Sequence, residues 1–197
     1  ITKLNLVLTN INDNDIKNIS SLVNLESLEI VCAKDVTGVG FKNCSKLKTL
    51  KLLNTSLNNS GMRHISETLI NLNKLTIFFN NATSFGNDAI SCISTLPLNY
   101  LEIGNNNNIT DITPLAKIKT LTELRLYFDK DISFDCILPQ VRKLTVSNNL
   151  ANDVLKNINN WKQLDFLHIS SVNSNSFLSN LSNLSKLTRL ELVHSKV

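Results

Sequence analysis

The chain has 197 residues, a formal net charge of +4, 42% apolar residues and 18% charged residues. That composition excludes a disordered or fibrous chain and leaves room for one domain with a sizeable core. The charges are spread along the chain, so there is no basic stripe of the kind nucleic acid needs, and the apolar runs are too short and interrupted to insert in a membrane. The chain carries 33 Leu, 18 Ile and 30 Asn against five Gly and three Pro. Leu and Asn in joint excess point to a repeat array with Asn-lined turns.

The pattern apolar-x-x-apolar-x-apolar recurs from end to end. It reads Ile1-Leu4-Leu6, Leu25-Leu28-Ile30, Leu47-Leu50-Leu52, Leu72-Leu75-Ile77, Leu98-Leu101-Ile103, Leu121-Leu124-Leu126, Val141-Leu144-Val146, Leu164-Leu167-Ile169 and Leu187-Leu190-Leu192. All 27 template positions are Leu, Ile or Val, and the starts lie 24, 22, 25, 26, 23, 20, 23 and 23 residues apart. In each unit the second and third apolar residues are two apart, so they share one face of a short strand. One such strand cannot bury that face alone; stacking the units in register builds a parallel sheet with a continuous core behind it. At about 4.8 Å per strand, nine strands span roughly 40 Å.

The connections differ. Helical spacing predicts helices over 15–22 (Ile16, Ile19, Leu22), around Met62, Ile65 and Leu69, around Ala89, Ile90, Ile93 and Leu96, and over 152–161 (Val154, Leu155, Ile158). Shorter connections such as 129–140, with Pro139, predict 3₁₀ turns or extended chain. Cys32, Cys44, Cys92 and Cys136 form no CxxC pair and no zinc-spaced set with His, and are expected as free thiols. The chain opens at Ile1 without a signal segment and stops within the pattern, so it is expected to be part of a longer protein.

These repeats resemble the leucine-rich repeat family over the whole chain. The stretch Leu98 to Leu124, with Ile109-Thr110-Asp111-Ile112-Thr113-Pro114-Leu115, is similar to bacterial internalin repeats. The stretch Leu28 to Leu50, with Cys32 after the strand and Cys44 before the next, is similar to the cysteine-containing repeats of F-box adaptors. The resemblance implies an α/β fold: a right-handed horseshoe solenoid of about nine parallel strands, in one domain over 1–197, with a mixed convex side. It also implies that the residues between and just after the strand's apolar pair face the concave side.

On that side the middle column runs Asn5, Glu29, Lys51, Thr76, Glu102, Arg125, Thr145, His168, Glu191. Lateral pairing is expected for Glu29 with Lys51, Glu102 with Arg125, and His168 with Glu191. Six aromatics are expected there or at its rim as well: Phe78, Phe79, Tyr100, Tyr127, Phe128 and Phe166, with local packing back over the sheet edge the alternative for Phe79 and Phe128. Exposed aromatics beside Arg are the usual composition of a protein-binding hot spot. The candidate partner-binding residues are therefore Phe78, Phe79, Tyr100, Glu102, Arg125, Tyr127, Phe128, Phe166 and His168. Gly104 is expected to leave a gap for a partner side chain, and Arg125 beside the patch to stack or to pair with a carboxylate.

His64 is expected to be solvated on a convex helix, and Trp161 to pack in the core. His168 and His194 with Glu191 are too few ligands for a metal, and no catalytic or nucleotide motif is present. The reading is a non-enzymatic module that binds another protein, without cofactor, nucleic acid or membrane insertion. It is expected in a reducing intracellular setting, including a host cytoplasm if translocated, as an effector that occludes or regulates a partner enzyme. The alternatives are the substrate-recognition repeats of a ubiquitin-ligase adaptor, and a surface adhesin. The array's uncapped ends are expected to allow end-to-end self-association.

Overall fold

The computed structural model describes residues 1–42, 44–79, 84–106, 108–128, 132, 138–147, 154–155, 157–170 and 181–193. Nine strands form one sheet in sequence order: β1 (Lys3–Val7), β2 (Ser27–Val31), β3 (Thr49–Leu53), β4 (Lys74–Phe78), β5 (Tyr100–Gly104), β6 (Glu123–Tyr127), β7 (Lys143–Val146), β8 (Phe166–Ser170) and β9 (Arg189–Val193). Every neighbouring pair is parallel. The register sets Leu28 beside Leu50, Leu50 beside Leu75 and Leu75 beside Leu101, and likewise Ile30, Leu52, Ile77 and Ile103. The repeat template thus becomes straight columns of Leu, Ile and Val. From β2 to β8 these columns are fully buried, whereas Leu4, Leu6 and Leu192 are only partly covered and Leu190 is 37% exposed.

Three short helices follow β1, β3 and β4: α1 (Asp13–Ile19), α2 (Asn59–Thr68) and α3 (Asn87–Ile93). The first two helix starts have a local cause. Asn12 caps α1 by accepting from the Asn14 and Asp15 amides, while Asp15 accepts from the Asn12 amide. Asn58 caps α2 by accepting from the Gly61 amide. Such caps satisfy amides that the helix leaves open. Thr113–Lys117, with Pro114 in its first turn, and Ile158–Asn160 are 3₁₀ turns. The apolar side of each connection joins the strand columns in one core, through Ile16, Met62, Ile65, Ala89, Ile90, Ile93, Leu115 and Ile158. α2 packs on α3, and α3 on the Thr113–Lys117 turn.

Two joints hold neighbouring repeats in register. The Asp13 carboxylate on α1 accepts from the amides of Thr37, Gly38 and Gly40 and from the Thr37 hydroxyl, at 2.7–3.2 Å. At Gly61 on α2 a Cβ would lie 1.8 Å from the Thr37 carbonyl oxygen, so only glycine permits this approach of helix to loop. His64 departs from the sequence expectation: it is part-buried and its Nε2 bonds the Phe41 carbonyl. Trp161 is fully buried. The expected helix over 152–161 is represented among the described residues by helical Val154 and Leu155 and the Ile158–Asn160 turn. Most of 129–140, including Cys136, and His194 lie outside the described residues. Cys32, Cys44 and Cys92 are free thiols.

Candidate functional site

Alternation along each strand sends the second and fourth residues into the core and the first, third and fifth to the opposite, open face. In-register stacking turns these into three rows across the sheet. The first row runs through Lys74, Tyr100, Glu123, Lys143, Phe166 and Arg189, the middle row through Thr76, Glu102, Arg125, Thr145, His168 and Glu191. The last row runs Val7, Val31, Leu53, Phe78, Gly104 and Tyr127.

Phe78 and Tyr127 lie on strands two apart, yet their ring centroids are 5.6 Å from each other at 37°. The strand between them carries Gly104, and the Phe78 ring covers it. A Cβ there would sit 2.4 Å from Phe78 Cε1 and 3.1 Å from Tyr127 Cβ. The gap expected at Gly104 is therefore filled from within. Glycine's missing side chain lets two rings meet and form one half-buried aromatic surface.

Phe79 and Phe128 do not belong to this surface. Both are buried, at 1% and 0% exposure, and Phe79 packs on Phe85 with ring centroids 4.6 Å apart. Simple alternation continued one residue past β4 and β6 puts them inside. The expectation that the residue after the strand faces outward holds where the backbone turns left-handed, at Leu8, Cys32, Asn54 and Asn105, with φ of 51–58°. There the following residue drops inward instead: Ala33, Thr55 and Asn106 are buried. Each left-handed residue still donates its amide to the next strand, at Val31, Leu53, Phe78 and Tyr127 carbonyls respectively, at 2.8–3.0 Å. That bond helps offset a conformation costing about 1–2 kcal/mol for a residue with a Cβ.

Two of the three expected lateral charge pairs form, and the third does not. Lys51 and Glu29 do face each other, at 3.9 Å, and His168 Nδ1 lies 2.8 Å from Glu191. Arg125 instead turns along its own strand, donating from Nε and Nη2 to Glu123 Oε1 at 2.9 and 2.6 Å. Its guanidinium also lies over the Tyr100 ring, 5.5 Å from the centroid. Glu102 is left with hydroxyl donors: Tyr100 Oη at 2.6 Å and Thr76 Oγ1 at 3.3 Å, both to Oε2. Burial first, and then the hydrogen bond to Glu102, push the Tyr100 phenol far above the ordinary tyrosine range. Tyr127 is raised as well, by burial first and by the charge of Glu102 second. The bond from His168 holds the Glu191 carboxyl below its usual value.

The remaining expected aromatic, Phe166, stands apart from this cluster. It is half-buried on β8, two strands beyond Tyr127, with the Arg189 guanidinium 5.3 Å from its ring centroid. A shallow hollow of about 350 Å³ joins the two groups, lined by Glu123, Arg125, Lys143 and Phe166 among others. Seven of the nine candidates thus share the open face: Phe78, Tyr100, Glu102, Arg125 and Tyr127 at or near the aromatic pair, and Phe166 and His168, two residues apart on β8, further across the sheet. Sequence reasoning missed Val7, Val31 and Leu53, which carry the last row as an apolar line from Phe78 to β1. Val7 is 51% exposed, while Val31 and Leu53 are half-buried. The period of two that located the core columns also marks these positions.

No family model matches the chain, and no curated protein matches it. Solved structures do. Internalin C2 from Listeria monocytogenes is 22% identical, with 98% of this chain and 81% of that one covered at a TM-score of 0.53. An internalin (inlF) from Listeria monocytogenes is 20% identical over 95% of this chain, at a TM-score of 0.48. This chain spans 66% of its length, just under two thirds. A plant peptide hormone receptor, RGFR1, solved in complex with RGF2, is 19% identical, with 91% and 34% covered at a TM-score of 0.44. The nine-stranded parallel sheet with its outer helices has the fold of a leucine-rich-repeat solenoid.

Proposed function

We propose that this chain binds a partner protein on the open face of its sheet, with the Phe78–Tyr127 ring pair as the centre of contact. The observation that carries the reading is that pair: two half-buried aromatic rings touching over Gly104, on the face turned away from the core. Aromatics with a neighbouring Arg are enriched where binding energy concentrates, and Arg125 with Tyr100 adjoins the pair. A row of apolar side chains extends the surface to β1, and a repeat array offers such a row over a long reach. In this reading the module acts inside a cell as an effector that covers or regulates a partner enzyme. The free Cys32, Cys44 and Cys92 thiols support a reducing setting.

The test is affinity capture with mass spectrometry, run in parallel on the native chain and on the double variant Phe78→Ala, Tyr127→Ala. Truncating a central aromatic costs about 2–4 kcal/mol of binding. The double variant is expected to lose the captured protein while its melting temperature stays close to native. Normal capture by the double variant would place the site elsewhere.

A further inference from the structure

The hydrogen bonds around Glu102 are lopsided. Both hydroxyl donors, Tyr100 Oη and Thr76 Oγ1, reach the same oxygen, Oε2. Oε1 accepts from no group among the described residues, and no Lys, Arg or His among them lies within ion-pair distance of this carboxylate. The cation that the register sets beside it, Arg125, is committed to Glu123 and to the Tyr100 ring. Lys143 approaches Glu123 as well, at 3.8 Å, and not Glu102. A half-buried carboxylate is thus held in one orientation by two hydroxyls and makes no direct ion pair among the described residues, the Arg125 charge acting on it only from further off. Two residues further along β5, on the same face, stands Gly104 with the Phe78 and Tyr127 rings over it.

We infer that Glu102 and the Phe78–Tyr127 ring pair form a receptor for one cationic side chain, an arginine or lysine, of the partner protein. This rests on the open face being the partner surface, and it specifies that partner's chemistry. The sequence leaves Arg125 to stack or to pair with a carboxylate, and it already does both within the chain, on the Tyr100 ring and with Glu123. A carboxylate fixed before binding loses little freedom on meeting an ammonium or guanidinium, and the charged hydrogen bond to Oε1 is of the strong kind. The adjoining aromatic faces attract the same cation through their quadrupoles. Glu102 is the charged group here that gains a direct ion pair from such a ligand.

The experiment is heteronuclear NMR on the full chain, titrated at millimolar concentration with capped arginine, capped lysine and capped glutamate. The expected result is a saturable shift of the Glu102 and Gly104 amides with arginine or lysine and none with glutamate. Glu102→Gln keeps the oxygen that Tyr100 and Thr76 bond and removes the charge. It is expected to weaken the shift about tenfold, as loss of a charged hydrogen bond does. Equal shifts in Glu102→Gln, shifts with capped glutamate instead, or no shifts at the two amides would overturn the proposal. If that happens while Phe78→Ala, Tyr127→Ala still loses its captured protein, the cation receptor fails and the binding face stands. If the captured protein survives the double variant too, the face itself is wrong.

Discussion

Tyr100 and Tyr127 are the chain's two tyrosines, and both sit in the candidate site. A spectrophotometric titration of phenolate therefore reads the site alone. Both phenols are raised, with burial the larger cause and Glu102 adding to it. A group whose folded value exceeds its unfolded one contributes stability that is complete below the unfolded value and is lost progressively between it and the folded value. Stability is thus expected to fall as pH rises past about 10, the ordinary tyrosine value. Glu102→Gln is expected to bring both midpoints part of the way down, and unchanged midpoints would show that Glu102 does not act on them. The sequence carried the identity of these residues but not their partners. Glu102 and Arg125 are lateral neighbours, and Glu123 is two residues before Arg125 on the same face. Both carboxylates lie within the reach of one guanidinium. Only the side-chain packing, with the Tyr100 ring under Arg125, decides between them.

β4 and β6 run out through Phe78-Phe79 and Tyr127-Phe128, and in each pair one ring faces out and the other faces in. Truncation separates the two roles. Phe128→Ala removes a fully buried ring and is expected to destabilise by about 3–5 kcal/mol. Phe78→Ala, at a half-buried position, is expected to change stability far less. Urea unfolding of both variants checks the assignment, and equal losses would contradict it. The strands themselves were legible because two apolar residues two apart, repeated nine times, admit one register. The helices α1, α2 and α3 were legible from apolar residues at three- and four-residue spacing. The inward turn of Phe79 and Phe128 was obscured by the left-handed backbone at Leu8, Cys32, Asn54 and Asn105. That turn shifts the alternation by one residue in some repeats and not in others. Neither Leu nor Cys marks a left-handed position, so its place after β1 and β2 could not be read from residue type.

Across the whole molecule each repeat is covered by its neighbours, so burial rises from the end strands to the middle. Leu101 on β5 is fully buried and Leu4 on β1 only partly, although both occupy the same template position. Leu101→Ala is expected to cost about 2–5 kcal/mol and Leu4→Ala clearly less. Denaturant midpoints for the two variants test this, and similar losses would contradict a core built by stacking. The same stacking keeps the open face free of core duty and lines up its three rows on the face proposed to meet a partner. Hydroxyl-radical footprinting of the captured complex tests that claim most directly. Protection is expected at Phe78, Tyr100 and Tyr127, while exposed Val23 and Ile70, in the turns leading into β2 and β4, stay reactive. Protection of Val23 and Ile70 with the three rings unchanged would contradict the account.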